Sequence, residues 1–179
     1  MAKQATRYLT STARLAYGAT LLAFVVVVLG AYTRLTDAGL GCPDWPGCYG
    51  QFVPQADATN PLINTTKAWT EMIHRYLAGS LGIVIFLLAF FIIKNKSGFK
   101  KQSQILAITV SGLVIFQALL GMWTVTLKLF PLVVMAHLMG GLATLSLLWW
   151  LTLTLKRESY FCTEPRNAFY RNTQPHSRS

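Results

Sequence analysis

Four stretches of this chain need an apolar surrounding to be stable. Residues 15–33, 72–93, 104–125 and 131–155 are dominated by Leu, Ile, Val, Phe, Ala and Gly. Each is near the ~20 residues that a helix needs to cross a hydrocarbon core. A backbone surrounded by lipid must satisfy its own hydrogen bonds, so runs of this length predict helices. The first run is longer than the ~7–15 apolar residues of a secretory leader, and it reads as a retained helix. The expected fold class is all-α: a polytopic membrane protein, built as an up-down-up-down bundle of four transmembrane helices. This divides the chain into an N-terminal segment at 1–14, a four-helix domain at 15–155 with a long outer loop at 34–69, and a polar tail at 156–179.

The net charge of +10 would suggest nucleic acid in a soluble protein. Its placement argues for a lipid bilayer instead. Lys3, Arg7 and Arg14 precede the first run, Lys94, Lys96, Lys100 and Lys101 separate the second from the third, and Lys156, Arg157, Arg166, Arg171 and Arg178 follow the fourth. Only Arg34, Lys67, Arg75 and Lys128 stand at or beyond the opposite ends. This is the positive-inside pattern, with both termini cytoplasmic. Cys42 and Cys48 then fall in the outer loop, where disulfides persist, and Cys162 in the inner tail, where a thiol stays reduced. A bridge between Cys42 and Cys48 would be either a staple on the loop or a redox-active pair. The tail after residue 155 shows no periodicity, so its His176 reads as solvated.

A faint internal repeat is present. Gly30-Ala31-Tyr32-Thr33 closes the first helix and Gly121-Met122-Trp123-Thr124 the third, and each following helix carries a histidine near its start, His74 and His137. Taking the second helix to start near residue 69 and the fourth at Pro131, both histidines lie ~9 Å below the outer ends at 1.5 Å per residue. In a four-helix bundle of this topology the second and fourth helices are diagonal, so two imidazoles at one depth can face each other. Zinc generally takes three or four protein ligands. A haem iron takes two axial ones, and its porphyrin is a flat apolar plate. Ala78, Gly79 and Gly82, with Gly140 and Gly141, would leave room for that plate. Small residues on membrane helices also serve plain close packing, and a single histidine often just hydrogen-bonds a neighbouring helix.

Glu71 precedes His74 by three residues and Arg75 by four. The first spacing puts it on the histidine's face, where it could orient an imidazole or move protons. The second is the favourable order for a salt bridge, which is the simpler reading. Arg34 and Arg75 are candidate partners for haem propionates, since a guanidinium suits a carboxylate. Gln117, in the middle of the third helix, reads as a hydrogen-bonding packing residue or a pocket residue.

The segments YTRLTDAGLGCPDWPGC, TEMIHRYLAGSLG, FQALLGMWTV and VVMAHLMGGL, in that order, resemble the haem A synthase family. The resemblance covers the four-helix N-terminal half of that family. It implies an oxidoreductase of haem A biosynthesis, oxidising the ring methyl of haem O to a formyl group for terminal cytochrome oxidases. It implies His74 and His137 as axial ligands, Glu71 as the acidic residue needed near the substrate methyl, and Cys42 and Cys48 as the outer-loop pair. Haem O would be the substrate, and haem b a cofactor if a second site comes from oligomerisation or another chain. Haem O synthase, oxidase assembly proteins and a second copy of the chain are the implied partners, and the bacterial inner membrane is the implied location, ahead of the mitochondrial one. Typical bacterial members have eight helices in two similar halves. This chain matches the first, as an incomplete, half-length member would. The alternatives are a four-helix b-type cytochrome, which needs the histidines but not Glu71, and a non-catalytic oxidase-assembly factor. A disulfide-generating oxidoreductase ranks lower, because TLKLF, the second outer loop, has no cysteine.

Overall fold

The computed structural model describes residues 2–54 and 65–163, with side chains over 7–54 and 65–161. Four long helices make up nearly all of it: α1 (Ala2–Leu35), α2 (Thr65–Lys94), α3 (Lys101–Thr126) and α4 (Pro131–Thr163). A short 3-10 turn, Lys96–Gly98, joins α2 to α3. No strand occurs among the described residues; one isolated bridge pairs Cys48 with Gln51. The segments Arg7–Leu35, Thr65–Lys94, Lys101–Thr126 and Pro131–Phe161 are each long and apolar enough to cross a membrane.

All four helices outrun the apolar runs that signal them. α1 begins at Ala2 and absorbs the expected N-terminal segment, since Leu9 and Thr12 are buried against the bundle. α2 begins at Thr65, inside the expected outer loop. α4 continues past Leu155 to Thr163, through the start of the expected tail. The reason lies at Glu158, an acidic side chain that is buried. One carboxylate oxygen accepts from Ser103 Oγ at 2.6 Å and the other from the Lys100 backbone N–H at 3.3 Å. Lys100 precedes α3 and offers no side-chain cap of its own, so the carboxylate of α4 supplies it at the positive end of the α3 dipole. His176 and the tail from residue 164 lie outside the described residues.

Helix α1 packs on α2 and α4, and α3 packs on the same two, so α2 and α4 are diagonal as expected. Between lipid-exposed helices, close approach rather than water exclusion drives association. The α1 face that meets the core is accordingly small: Ala16, Ala19 and Ala23 are buried, and Thr20 and Thr152 hydroxyls meet between α1 and α4 at 3.1 Å. Two apolar clusters fill the core. One, toward the chain-terminal end, includes Leu9, Leu88, Ile92, Leu106, Leu151 and Leu155. The other, at mid-bundle, includes Ala23, Leu81, Ile85, Val110 and Leu148. Pro131 opens α4, where its missing N–H and fixed φ are tolerated. The α3–α4 turn before it is tight, with Lys128 and Leu129 at positive φ, and Leu129 caps the bundle by lying over Gly39 of the α1–α2 loop.

Candidate functional site

His74 and His137 sit above the mid-bundle cluster, each pressed against the helix that precedes it in the chain. A Cβ at Gly30 would lie 2.9 Å from His74 Cε1, and one at Gly121 would lie 3.5 Å from His137 Cε1. Gly30 and Gly121 stand equally far before the helix ends at Leu35 and Thr126. The repeated glycines are thus two matching seats for two imidazoles, one per helical hairpin. α2 starts earlier than expected, so His74 lies roughly two and a half turns below its first residue rather than under two. The two seats, not the helix starts, set the common depth.

The donor set suits an iron porphyrin. Nδ1 of His74 and Nδ1 of His137 are both buried without a hydrogen-bond partner, and a buried polar atom left unpaired is costly unless a ligand takes it. The His74 ring also lies against the Val26 carbonyl. Among the described residues no three His, Cys, Asp or Glu gather as a metal-binding set. That fits two axial positions better than a zinc tetrahedron.

The expected lining residues divide. Gln117 packs directly into the notch at Gly140 and lies within reach of Gly141, while its Nε2 has no hydrogen-bond partner. Gly141 also meets Val27 of α1, and Gly82 is buried against Val114. Ala78 belongs to the mid-bundle packing. Gly79 does not line the core: it is exposed and a Cβ there would meet open space. Gly30 and Gly121, which lie against the rings, are missing from the sequence-based set of pocket residues, although the GAYT and GMWT repeat marks both.

Above the histidines, the outer loop is fastened to α2. Cys42 and Cys48 form a disulfide with Cα atoms 4.7 Å apart, and both are buried with Ala68 and Met72. Gly41 runs so close to α2 that a Cβ would fall 2.6–2.7 Å from the main chain of Lys67 and Ala68. Glu71 is buried and bonded on both oxygens: Arg75 Nη2 donates to Oε1 at 2.5 Å, and the Cys42 N–H donates to Oε2 at 3.0 Å. The salt bridge read from the sequence is therefore present. Arg75 Nη1 is directed at the loop carbonyls of Gly47 (2.6 Å), Asp44 (2.9 Å) and Pro46 (3.3 Å). Arg75, expected as a propionate partner, is thus committed to the loop, whereas Arg34 is exposed at the end of α1. The cleft of about 430 Å³ lined by Leu153, Lys156, Arg157, Tyr160 and Phe161 lies at the far end of α4, away from both histidines.

Asp44 organises the loop itself. Tyr49 and Gly50 adopt positive φ, which turns both backbone N–H groups onto the Asp44 carboxylate at 2.6 and 2.8 Å. Partial burial pushes this carboxyl up, but the Gly50 and Tyr49 bonds, helped by the Arg75 charge, outweigh it and hold Asp44 below its ordinary value.

The fold and its core define a four-helix membrane protein with one imidazole on each of two diagonal helices. The family whose model is described as cytochrome oxidase assembly protein, COX15-CtaA, matches residues 13–175, and the chain belongs to that family. It is 49% identical over 134 residues to a protein named heme A synthase from Shewanella oneidensis, covering 69% of this chain and 39% of that one. A protein of the same name from Alkalihalophilus pseudofirmus is 31% identical over 132 residues, covering 73% and 41%. One from Halalkalibacterium halodurans is 35% identical over 98 residues, covering 54% and 30%. The chain spans about two fifths of the length of the Shewanella and Alkalihalophilus proteins.

Two expectations follow. Gly30→Ala should destabilise the chain in detergent unfolding by about 1–3 kcal/mol, because the added methyl meets the His74 ring. Gly121→Ala should change stability by no more than ~0.5 kcal/mol. Equal losses would contradict the difference between the two seats. The second concerns Asp44. Its ionised form accepts both N–H bonds, so its contribution is full above the ordinary Asp value and is lost as pH falls through the depressed one. The carboxyl carbon NMR shift of Asp44 should therefore titrate below an ordinary aspartate; a midpoint at or above that value would contradict the geometry.

Proposed function

We propose that this chain binds haem between α2 and α4 and acts in haem A biosynthesis for cytochrome oxidase assembly. Two buried, unpartnered Nδ1 atoms on diagonal helices carry this reading, and the naming of the relatives as heme A synthase agrees with it. The reaction proposed is oxidation of the ring methyl of haem O to the formyl group of haem A. His74 and His137 would take the two axial positions. A bound haem supplies the redox centre and, as substrate, the methyl group. Gly30 and Gly121 seat the imidazoles, and Gln117, in the Gly140 notch with its Nε2 unpartnered, would be available to donate an amide N–H to a bound ligand. Arg34 is the remaining candidate for a propionate. Glu71, one turn outward of His74, would hold or move a proton at its carboxylate oxygens. The docked disulfide loop would keep bulk water off the outer mouth.

In this reading the chain lies in a bacterial inner membrane with both termini cytoplasmic, an orientation that the placement of the basic residues supports. Haem b enters as a second cofactor where another copy or another chain brings a second histidine pair. A b-type cytochrome is the second reading. It is favoured by one observation: both Glu71 oxygens are engaged by protein groups. Glu71→Gln separates the two, since loss of conversion with the spectrum retained requires the enzyme and full function requires the cytochrome.

His74→Ala and His137→Ala should each abolish the low-spin haem spectrum of the purified chain while the helix content measured by circular dichroism is kept. Unchanged spectra in both variants would overturn the ligand assignment.

A further inference from the structure

The outer loop touches α2 at several points, and one side chain joins them. Arg75 points one terminal nitrogen at three loop carbonyls, those of Asp44, Pro46 and Gly47, and the other at Glu71 Oε1. The remaining Glu71 oxygen is held by the Cys42 N–H. Loop, guanidinium and carboxylate therefore form a closed circuit, Cys42 to Glu71 to Arg75 to Gly47, and the Cys42–Cys48 bridge completes it through the loop. No part of this circuit can move alone. If the loop lifts, Glu71 loses the Cys42 donor, and if Arg75 withdraws, three carbonyls and a carboxylate lose theirs. Only a planar guanidinium with donors on both terminal nitrogens can serve both sides, since an ammonium is a single point of charge.

We propose that Arg75 is a positioning residue that ties the seating of the disulfide loop to the orientation of the Glu71 carboxylate. The loop then acts as a lid whose closed position holds Glu71 between Cys42 and Arg75, and whose release takes the Cys42 donor from Oε2 and leaves that oxygen free to turn toward the histidine site. What Glu71 then does to a haem rests on the reading given above. The linkage between lid and carboxylate does not.

The test uses the whole chain in membranes, without haem. A water-soluble phosphine attacks the disulfide, the S–S bond breaks, phosphorus is oxidised to the phosphine oxide with oxygen from water, and two thiols form that maleimide traps and intact mass counts. Arg75→Gln should speed this reduction by about tenfold or more, the loss expected when charge-assisted bonds seating the lid are removed. Arg75→Lys should not restore the slow rate. In parallel, the infrared carboxylate band of isotope-labelled Glu71 should shift when the wild-type disulfide is reduced, in the same direction as in Arg75→Gln. A merely structural arginine would not move that band on reduction. An unchanged reduction rate in Arg75→Gln, full rescue by lysine, or a Glu71 band indifferent to reduction would each overturn the proposal. Tyr76→Phe serves as the control for general loosening, since it removes only the Tyr76 hydroxyl's bond to the Phe52 carbonyl at the rim. A rate as fast as that of Arg75→Gln would show that any lost contact opens the lid and would also overturn it. Failure to bind haem would sink the functional reading and leave these outcomes intact.

Discussion

Two imidazole rings resting on bare helix backbone set the geometry of the outer half of this bundle. At Gly30 even a methyl group would push His74 away, while at Gly121 a Cβ would just touch the His137 ring. With glycine there, each ring fits between its own helix and the preceding one, and its Nδ1 is left buried and unpaired. In a low-dielectric core such atoms are costly, so the arrangement makes physical sense as a ligand site. The rest of the bundle serves it. Small residues let α1 approach α4, the diagonal placement of α2 and α4 puts one imidazole on each of two opposite helices, and the tight α3–α4 turn starts α4 at Pro131.

The second layer is electrostatic and sits above the rings. Glu71, buried at the mouth of a membrane helix, would be untenable alone. It is stabilised by an i,i+4 arginine and by a backbone donor from a loop whose own shape depends on Asp44 and on the disulfide. Glu71, Arg75 and Asp44 thus belong to one connected hydrogen-bonded network at this end. The opposite end repeats the idea more simply, with Glu158 closing the N-terminus of α3.

The four helices were legible because lipid imposes a length and a composition on anything that spans it. The diagonal pairing was legible because an up-down-up-down bundle sets helices consecutive in the chain side by side, which leaves α2 and α4 across the core from each other. Helix ends were not, since polar turns such as the one around Leu9 and Thr12 in α1, or Glu158 in α4, become helical only through contacts made elsewhere in the bundle. Gly79 shows the limit of reading small residues as space: it falls off the core-facing stripe, and only helix rotation reveals that. Arg75 shows another. Spacing along α2 exposes its bond to Glu71, but the three carbonyls it also gathers come from a loop some thirty positions earlier, and no local pattern announces them. The GAYT and GMWT repeat was visible as ancestry. That its glycines are histidine seats required the packing of α1 on α2 and of α3 on α4.

The central claim is the proposal that His74 and His137 together would hold one haem iron. Near-infrared magnetic circular dichroism of the purified, haem-loaded chain measures this most directly, because the charge-transfer band of ferric haem reports both axial ligands. The account predicts a low-spin spectrum of the bis-histidine class. A high-spin spectrum, or one from histidine paired with another ligand, would show that the two imidazoles do not share an iron.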